Sequence, residues 1–226
     1  MRCFRTWGAG SIGLALLVAT ALPSRSAGAQ IFGSDPEGLK RTDDLIKKAE
    51  ELVEETVSAR GQLGKTLDTY NAIFADDVKD VRKVYKGVES EMKKTEKQRE
   101  QVRKKLDEMK VEADAYFAGW SESVQQIESA DLRKRSEARM AETRGHFDGI
   151  LDSVREARGA YEPFMTSMKD QWTYLGHDLN ASGISSLKPD AEKLNRQGKE
   201  LFEKIDAGMK KADEYIDSLR SSRPAS

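Results

Sequence analysis

The sequence predicts an all-α protein, an elongated antiparallel helical bundle or coiled-coil hairpin of about four long helices. Three observations predict it. Charged residues make up 34% of the 226 residues and aromatics only 7%, the composition of long helices packed along a seam. No proline interrupts the chain between Glu37 and Glu162, so the residue most disruptive to a helix is missing from more than half of it. Apolar residues recur at a spacing of three to four, and no strand alternation stands out.

Residues 1–29 read as a secretory signal peptide. Arg2 and Arg5 precede the apolar run 12–22, no acid is present, and Ala27-Gly28-Ala29 is a small-x-small cleavage site. Cleavage is expected between Ala29 and Gln30. The run is shorter than the ~20 residues of a membrane span, and an uncleaved anchor is the alternative. Removal takes away Arg2, Arg5 and Arg25, moving the formal charge from −1 to −4. It also removes Cys3, the single cysteine, leaving no disulfide, thiol nucleophile or thiolate metal site. Cys3 lies before the apolar run, the wrong place for a lipid acceptor.

Residues 30–220 read as one elongated domain of four helical segments, and 221–226 as a disordered tail. The first segment starts near Pro36, a good first-turn residue, with Ser34 or Asp35 as cap. Gly61 and Gly64 weaken it, and Asp76-Asp77 marks a break. The second carries the most regular stripe, from Val81, Tyr85, Val88 and Met92 through Leu106, Met109 and Ala113 to Trp120 and Val124. Leu106 and Trp120 fall on this stripe, whereas Lys105 is expected to point away. The stripe fades at 93–101, a polar stretch expected to bridge solvent between better packed ends. Ser129-Ala130-Asp131 supplies a turn and cap. The third segment runs from Leu132 to Leu179, with Pro163 expected to kink it. Asn180 to Ser186 is the clearest loop, and the fourth segment runs from Leu187 to Leu219. The short turn between segments two and three forces them antiparallel.

Leu132-Arg-Lys-Arg-Ser-Glu137, Thr143-Arg144, Tyr161-Glu-Pro163, Tyr174-Leu-Gly-His-Asp-Leu-Asn-Ala181 and Ile184-Ser-Ser-Leu187 occur in this order. In these motifs the chain resembles the bacterial domain-of-unknown-function family 2959, over about Ala113 to Leu219. The resemblance implies a bacterial, envelope-directed helical protein. It brings no activity with it, and without a lipobox cysteine it brings no lipid anchor.

No catalytic, cofactor or metal residue is assigned. His146 and His177 lack metal-site spacing, and no phosphate loop, nucleophile elbow or EF-hand loop is present. Asp76, Asp77 and Asp80 suit a helix-start cap better than a weak cation site. Arg133, Lys134, Arg135 and Arg139 form a candidate basic patch, which as a solvated face would pair with Glu137 and Glu142. Trp172, Tyr174, His177 and Asn180 form a candidate motif. The last three lie off the apolar stripe and can hydrogen-bond, so the motif either locks a loop or faces a partner. A near-neutral charge gives no pull toward nucleic acid or an anionic membrane; membrane contact is not indicated.

The expected function is therefore that of an exported periplasmic or envelope protein, soluble after signal cleavage. It is read as structural or protein-interacting rather than enzymatic, with an envelope protein or a second copy as partner. A holdase-type chaperone and a membrane-remodelling hairpin are the alternatives. The second would use Leu39 to Val57 as its membrane-binding helix.

Overall fold

Helix α1 spans Pro36–Asn71 and ends in a single 3-10 turn, Ala72–Phe74. A computed structural model describes residues 36–221; residues 1–35, with the expected signal segment and its Ala29–Gln30 cleavage site, and the last five residues lie outside the described residues. Asp76 and Asp77 fall in the turn after α1, where a break is expected. Asp80 then starts α2 (Val81–Gln125) as its N-cap, its Oδ1 accepting from the Lys83 N–H at 3.0 Å. The acids at this turn thus include a cap, as the sequence suggests.

Ser129 caps α3 (Ala130–His177), and its hydroxyl accepts from the Leu132 N–H. Arg133 closes the preceding turn by donating two bonds to the Ile127 carbonyl, at 3.0 and 2.7 Å. Helix α3 continues through Pro163. A short α4 (Ala181–Ser186) occupies the expected loop, and α5 (Lys188–Ser221) completes the chain. Ser221, expected in the tail, is the last residue of α5.

The four long helices run up-down-up-down. Arg60 pairs with Asp206 and Arg220 with Glu50, which sets α1 antiparallel to α5. Phe147 lies by Tyr215 and Phe164 by Gly198, which does the same for α3 and α5. At 1.5 Å per residue α2 and α3 are about 68 and 72 Å long.

The buried residues divide into two clusters along this length. One surrounds Leu45, Leu52, Met109, Phe117, Ile150, Tyr215 and Leu219, toward the α2–α3 turn. The other surrounds Leu63, Tyr70, Val88, Phe164, Leu175, Leu194 and Leu201, toward α4. The apolar face of Leu39–Val57 is therefore inside the bundle: Leu45, Ile46, Ala49 and Leu52 are all buried, so it is not free to lie on a membrane.

Two other expectations change. The polar stretch 93–101 does not bridge solvent but packs on α1. Thr95 is buried, its hydroxyl 2.7 Å from that of Thr66, and Gln98 donates to Glu55 at 2.6 Å and Ser58 at 2.7 Å. Polar side chains can enter a seam when their hydrogen bonds are met inside it. Lys105 does not point away. Its ammonium reaches across to Glu51 at 2.8 Å, joining Lys48 and Glu108 in a four-residue charge network between α1 and α2.

Candidate functional site

Three places concentrate polar or open chemistry: the 172–180 motif, the basic patch and the space between the two core clusters.

The bonds described for the motif are those of a lock. Trp172 stacks flat on Tyr85 with ring centroids 5.0 Å apart, and its indole N–H donates to the Tyr85 carbonyl at 3.2 Å, tying α3 to α2. Tyr174 lies 3.2 Å from the Ser186 hydroxyl, which ties α3 to α4. Asn180 caps α4, with its Oδ1 accepting from the Gly183 N–H at 3.0 Å, while its amide donates to Asp178. A Cβ on Gly183 would stand 2.1 Å from the Asp178 carbonyl oxygen, so only glycine lets the chain fold back this closely. His177 is exposed at the end of α3, where a helix dipole favours a cation, and shares none of these bonds.

The basic patch separates into two pairs. Arg133 belongs to the turn, as described above. Arg139 lies over the Trp120 ring at 5.9 Å, and the Trp120 indole donates to Ser136 at 2.9 Å. Lys134 and Arg135 are exposed, and among the described residues neither forms an ion pair. The expected pairing with Glu137 and Glu142 does not form. Leu132 beside them is 55% exposed. With Phe147 beside Tyr215 and Ser153 beside Gly208, the end of α5 stands opposite about Met140. The first ten residues of α3, about 15 Å of helix, thus have no described length of α5 alongside. Lys134 and Arg135 stand on this stretch, at the α2–α3 end of the bundle, which α1 also reaches with Arg41 beside Gly119.

The third place carries a cavity. Between Leu52 and Leu63 of α1, and at the matching levels of α2, α3 and α5, neither cluster fills the bundle. A cavity of about 450 Å³ lies there, lined by all four long helices. Its wall is apolar at Val53, Val102, Val154, Ile205 and Met209, and small at Ala59, Ala157 and Gly208. Its rim carries Arg99 and Arg103 from α2, Arg158 from α3, and Arg60 and Lys204 from the α1–α5 side. Arg60 closes that side through a two-bond pair with Asp206, at 2.5 and 2.8 Å. On the α2–α3 side Arg99 lies over the Tyr161 ring at 5.6 Å, and the Tyr161 hydroxyl donates to Glu96 at 3.1 Å. Burial, then the Glu96 carboxylate, push the Tyr161 hydroxyl well above its usual range, so it stays protonated. Arg99 Nε is buried with no hydrogen-bond partner.

Sequence reasoning missed this cavity. Its trace is the fading of the stripe at 93–101 between better packed ends, where Arg99 takes a stripe position between Thr95 and Val102. Elsewhere the titratable groups serve the fold. Glu91 accepts from Lys94 and Gln62, both at 2.8 Å, and these bonds hold its carboxylate down at about 2. Among the described residues no group of His, Cys, Asp and Glu is placed to hold a metal ion, and no helix is long and apolar enough to cross a membrane.

No curated protein and no solved structure matches the chain. A family model described as "Protein of unknown function (DUF2959)" matches residues 34–219. That span reaches well before the 113–219 stretch on which the resemblance rests, and it takes in every described helix except the last residues of α5. The chain belongs to the DUF2959 family.

Proposed function

We propose that this protein is exported to the bacterial envelope and works there by binding rather than catalysis, presenting the α2–α3 tip of its bundle to an acidic protein surface. The start of α3, with no described length of α5 alongside, carries the reading. Lys134 and Arg135 stand exposed and, among the described residues, without ion pairs beside a largely exposed Leu132. Free cations around an apolar residue suit an acidic partner with an apolar contact, since charge sets approach and register while apolar burial holds the complex. Arg133 closes the turn and Arg139 covers Trp120, which leaves Lys134 and Arg135 as the outward cations. The signal-like segment 1–29 supports the compartment.

The test is crosslinking of the full chain in its native envelope, followed by purification, for the wild type and a Lys134→Glu/Arg135→Glu variant. The reading expects one dominant adduct, an acidic protein, that the charge reversal removes while the melting curve stays put. Adducts that persist in the variant would refute it. Adducts to lipid instead of protein would move the reading to a membrane surface.

A further inference from the structure

The mid-bundle cavity is unexplained by the tip reading and stands apart from it. We propose that it binds a single-chain anionic amphiphile, a long acyl chain ending in a carboxylate or phosphate. The acyl chain lies between the two core clusters, and the head group sits at the α2–α3 rim with Arg99 and Arg158.

Four observations converge on this class. The volume, about 450 Å³, lies within the range of small-molecule sites, which are mostly apolar with a few placed polar groups. The wall is mostly hydrocarbon from all four helices, with Thr56, Thr95 and Ser153 among it, and no backbone polar group is left open by a helix end, because every lining residue lies inside a long helix. The slot is elongated: its lining runs from Leu52 to Leu63 on α1 and from Ile150 to Tyr161 on α3, about 17 Å each at 1.5 Å per residue. That is the depth of one acyl layer, half of a ~30 Å hydrocarbon core.

Charge supplies the head group. The lining holds one acid, Asp107, against six cations. Asp107 is occupied by Lys110 at 3.3 Å. Arg158 pairs with Glu162 at 2.8 Å, and Arg99 with Glu96 at 2.9 Å and Glu100 at 3.1 Å. These carboxylates are 39–53% exposed, so the pairs are weak and can be exchanged. Arg99 Nε keeps one buried donor without an acceptor. A guanidinium with a spare donor, beside an apolar slot, recognises a carboxylate or phosphate oxygen. A neutral hydroxyl could accept from that donor but would lack the charge assistance of an anionic oxygen.

The experiment uses the purified full chain and a fluorescent fatty acid, displaced by palmitate, by lysophosphatidate or by hexadecanol. Palmitate or lysophosphatidate should displace at micromolar concentration, and whichever is tighter names the head group. Hexadecanol, equal in chain but uncharged, should be at least tenfold weaker. Ala157→Trp, which fills the slot, should weaken the anionic ligand at least tenfold. Arg99→Gln with Arg158→Gln should bring the acid to the level of the alcohol. Lys134→Glu/Arg135→Glu should bind the probe unchanged, which keeps this site separate from the tip. Absence of probe binding, equal affinity for acid and alcohol, or a folded Ala157→Trp that binds as the wild type does would each overturn the proposal. Should Ala157→Trp fail to melt cooperatively, the arginine pair decides, because both side chains are partly exposed, at 40% and 72%.

Discussion

Gly198 offers a test in which helix propensity and packing predict opposite signs. It is buried within α5, and a Cβ added there would stand 2.8 Å from Leu67 Cδ2 and 3.2 Å from Phe164 Cε2. Neither neighbour yields easily: Leu67 is 8% exposed and Phe164 is fully buried. Propensity alone favours alanine over glycine in a helix interior by about 0.8–1 kcal/mol. Forcing a methyl into a close-packed core costs about 1–3 kcal/mol. The difference leaves Gly198→Ala destabilised by up to about 2 kcal/mol. Gly61, exposed on α1 with nothing within 4 Å of its added Cβ, has only the favourable term. Gly61→Ala should therefore stabilise by about 0.5–1 kcal/mol. Urea unfolding followed by far-UV circular dichroism reads both. In a Leu67→Ala background the first clash is gone, so the further cost of Gly198→Ala should shrink, a coupling the double-mutant cycle measures. If Gly198→Ala stabilises as Gly61→Ala does, α5 does not approach α1 and α3 as closely as described, and the packing argument fails.

Leu106→Ala should cost about 2 kcal/mol, the low end of buried leucine truncation, because Leu106 borders the cavity and already lacks neighbours on one side; a loss near 5 kcal/mol in the same unfolding assay would mean that the cavity is filled. Lys105→Ala should destabilise more than the same change at Lys134, unpaired among the described residues, and lose that difference in high salt, because the Lys105 ammonium joins Glu51 and Glu108 across two helices. Asn180→Ala should lose about 1 kcal/mol with its cap while His177→Ala stays within ~0.5 kcal/mol of neutral; equal effects in thermal melts would return His177 to the lock. The carboxylates of Glu51 and Glu91 sit at about 2 against an ordinary 4.5: hydrogen bonds from Lys105 and Lys48 hold the first down, those from Lys94 and Gln62 the second. Lowered folded-state values stabilise fully above pH 4.5 and are lost as pH falls toward 2. Glu91→Gln should accordingly flatten the acid limb of a stability–pH curve, and an unaltered limb would remove Glu91 from the account.

The periodic parts of this fold are legible in the sequence. Val88, Leu106, Met109, Ala113 and Val124 fall on the α2 stripe and are buried, because a single helix writes its buried face into its own spacing. The breaks at Asp76-Asp77 and Ser129 are legible for the same local reason, since turn and cap chemistry act over a few residues. Helix α4 is not: Ala-Ser-Gly-Ile-Ser-Ser reads as loop, and its order comes from Asn180 as cap and Tyr174 reaching Ser186. The polar stretch is misread because Thr95 answers Thr66 from another helix. Lys105 is misread because a long side chain can cross a seam that its Cα does not face. The cavity is the extreme case. Ala59, Ala157 and Gly208 are unremarkable one at a time, and their level in the bundle is set by three separate turns. The four residues of the candidate motif meet different neighbours, and their spacing does not separate cap, stack, tie and free end, since each depends on what the side chain meets.

Docking at the hairpin tip is the central claim, and a photo-crosslinking residue placed in the full chain measures it most directly. Position 135 tests the tip; position 57, a mid-helix valine of α1 that is 54% exposed, is the control. Irradiation of intact cells should give an adduct from position 135 with one acidic envelope protein, weakened by high salt as charge-guided contacts are, and none from position 57. The same adducts from both positions, or none from position 135, would contradict it.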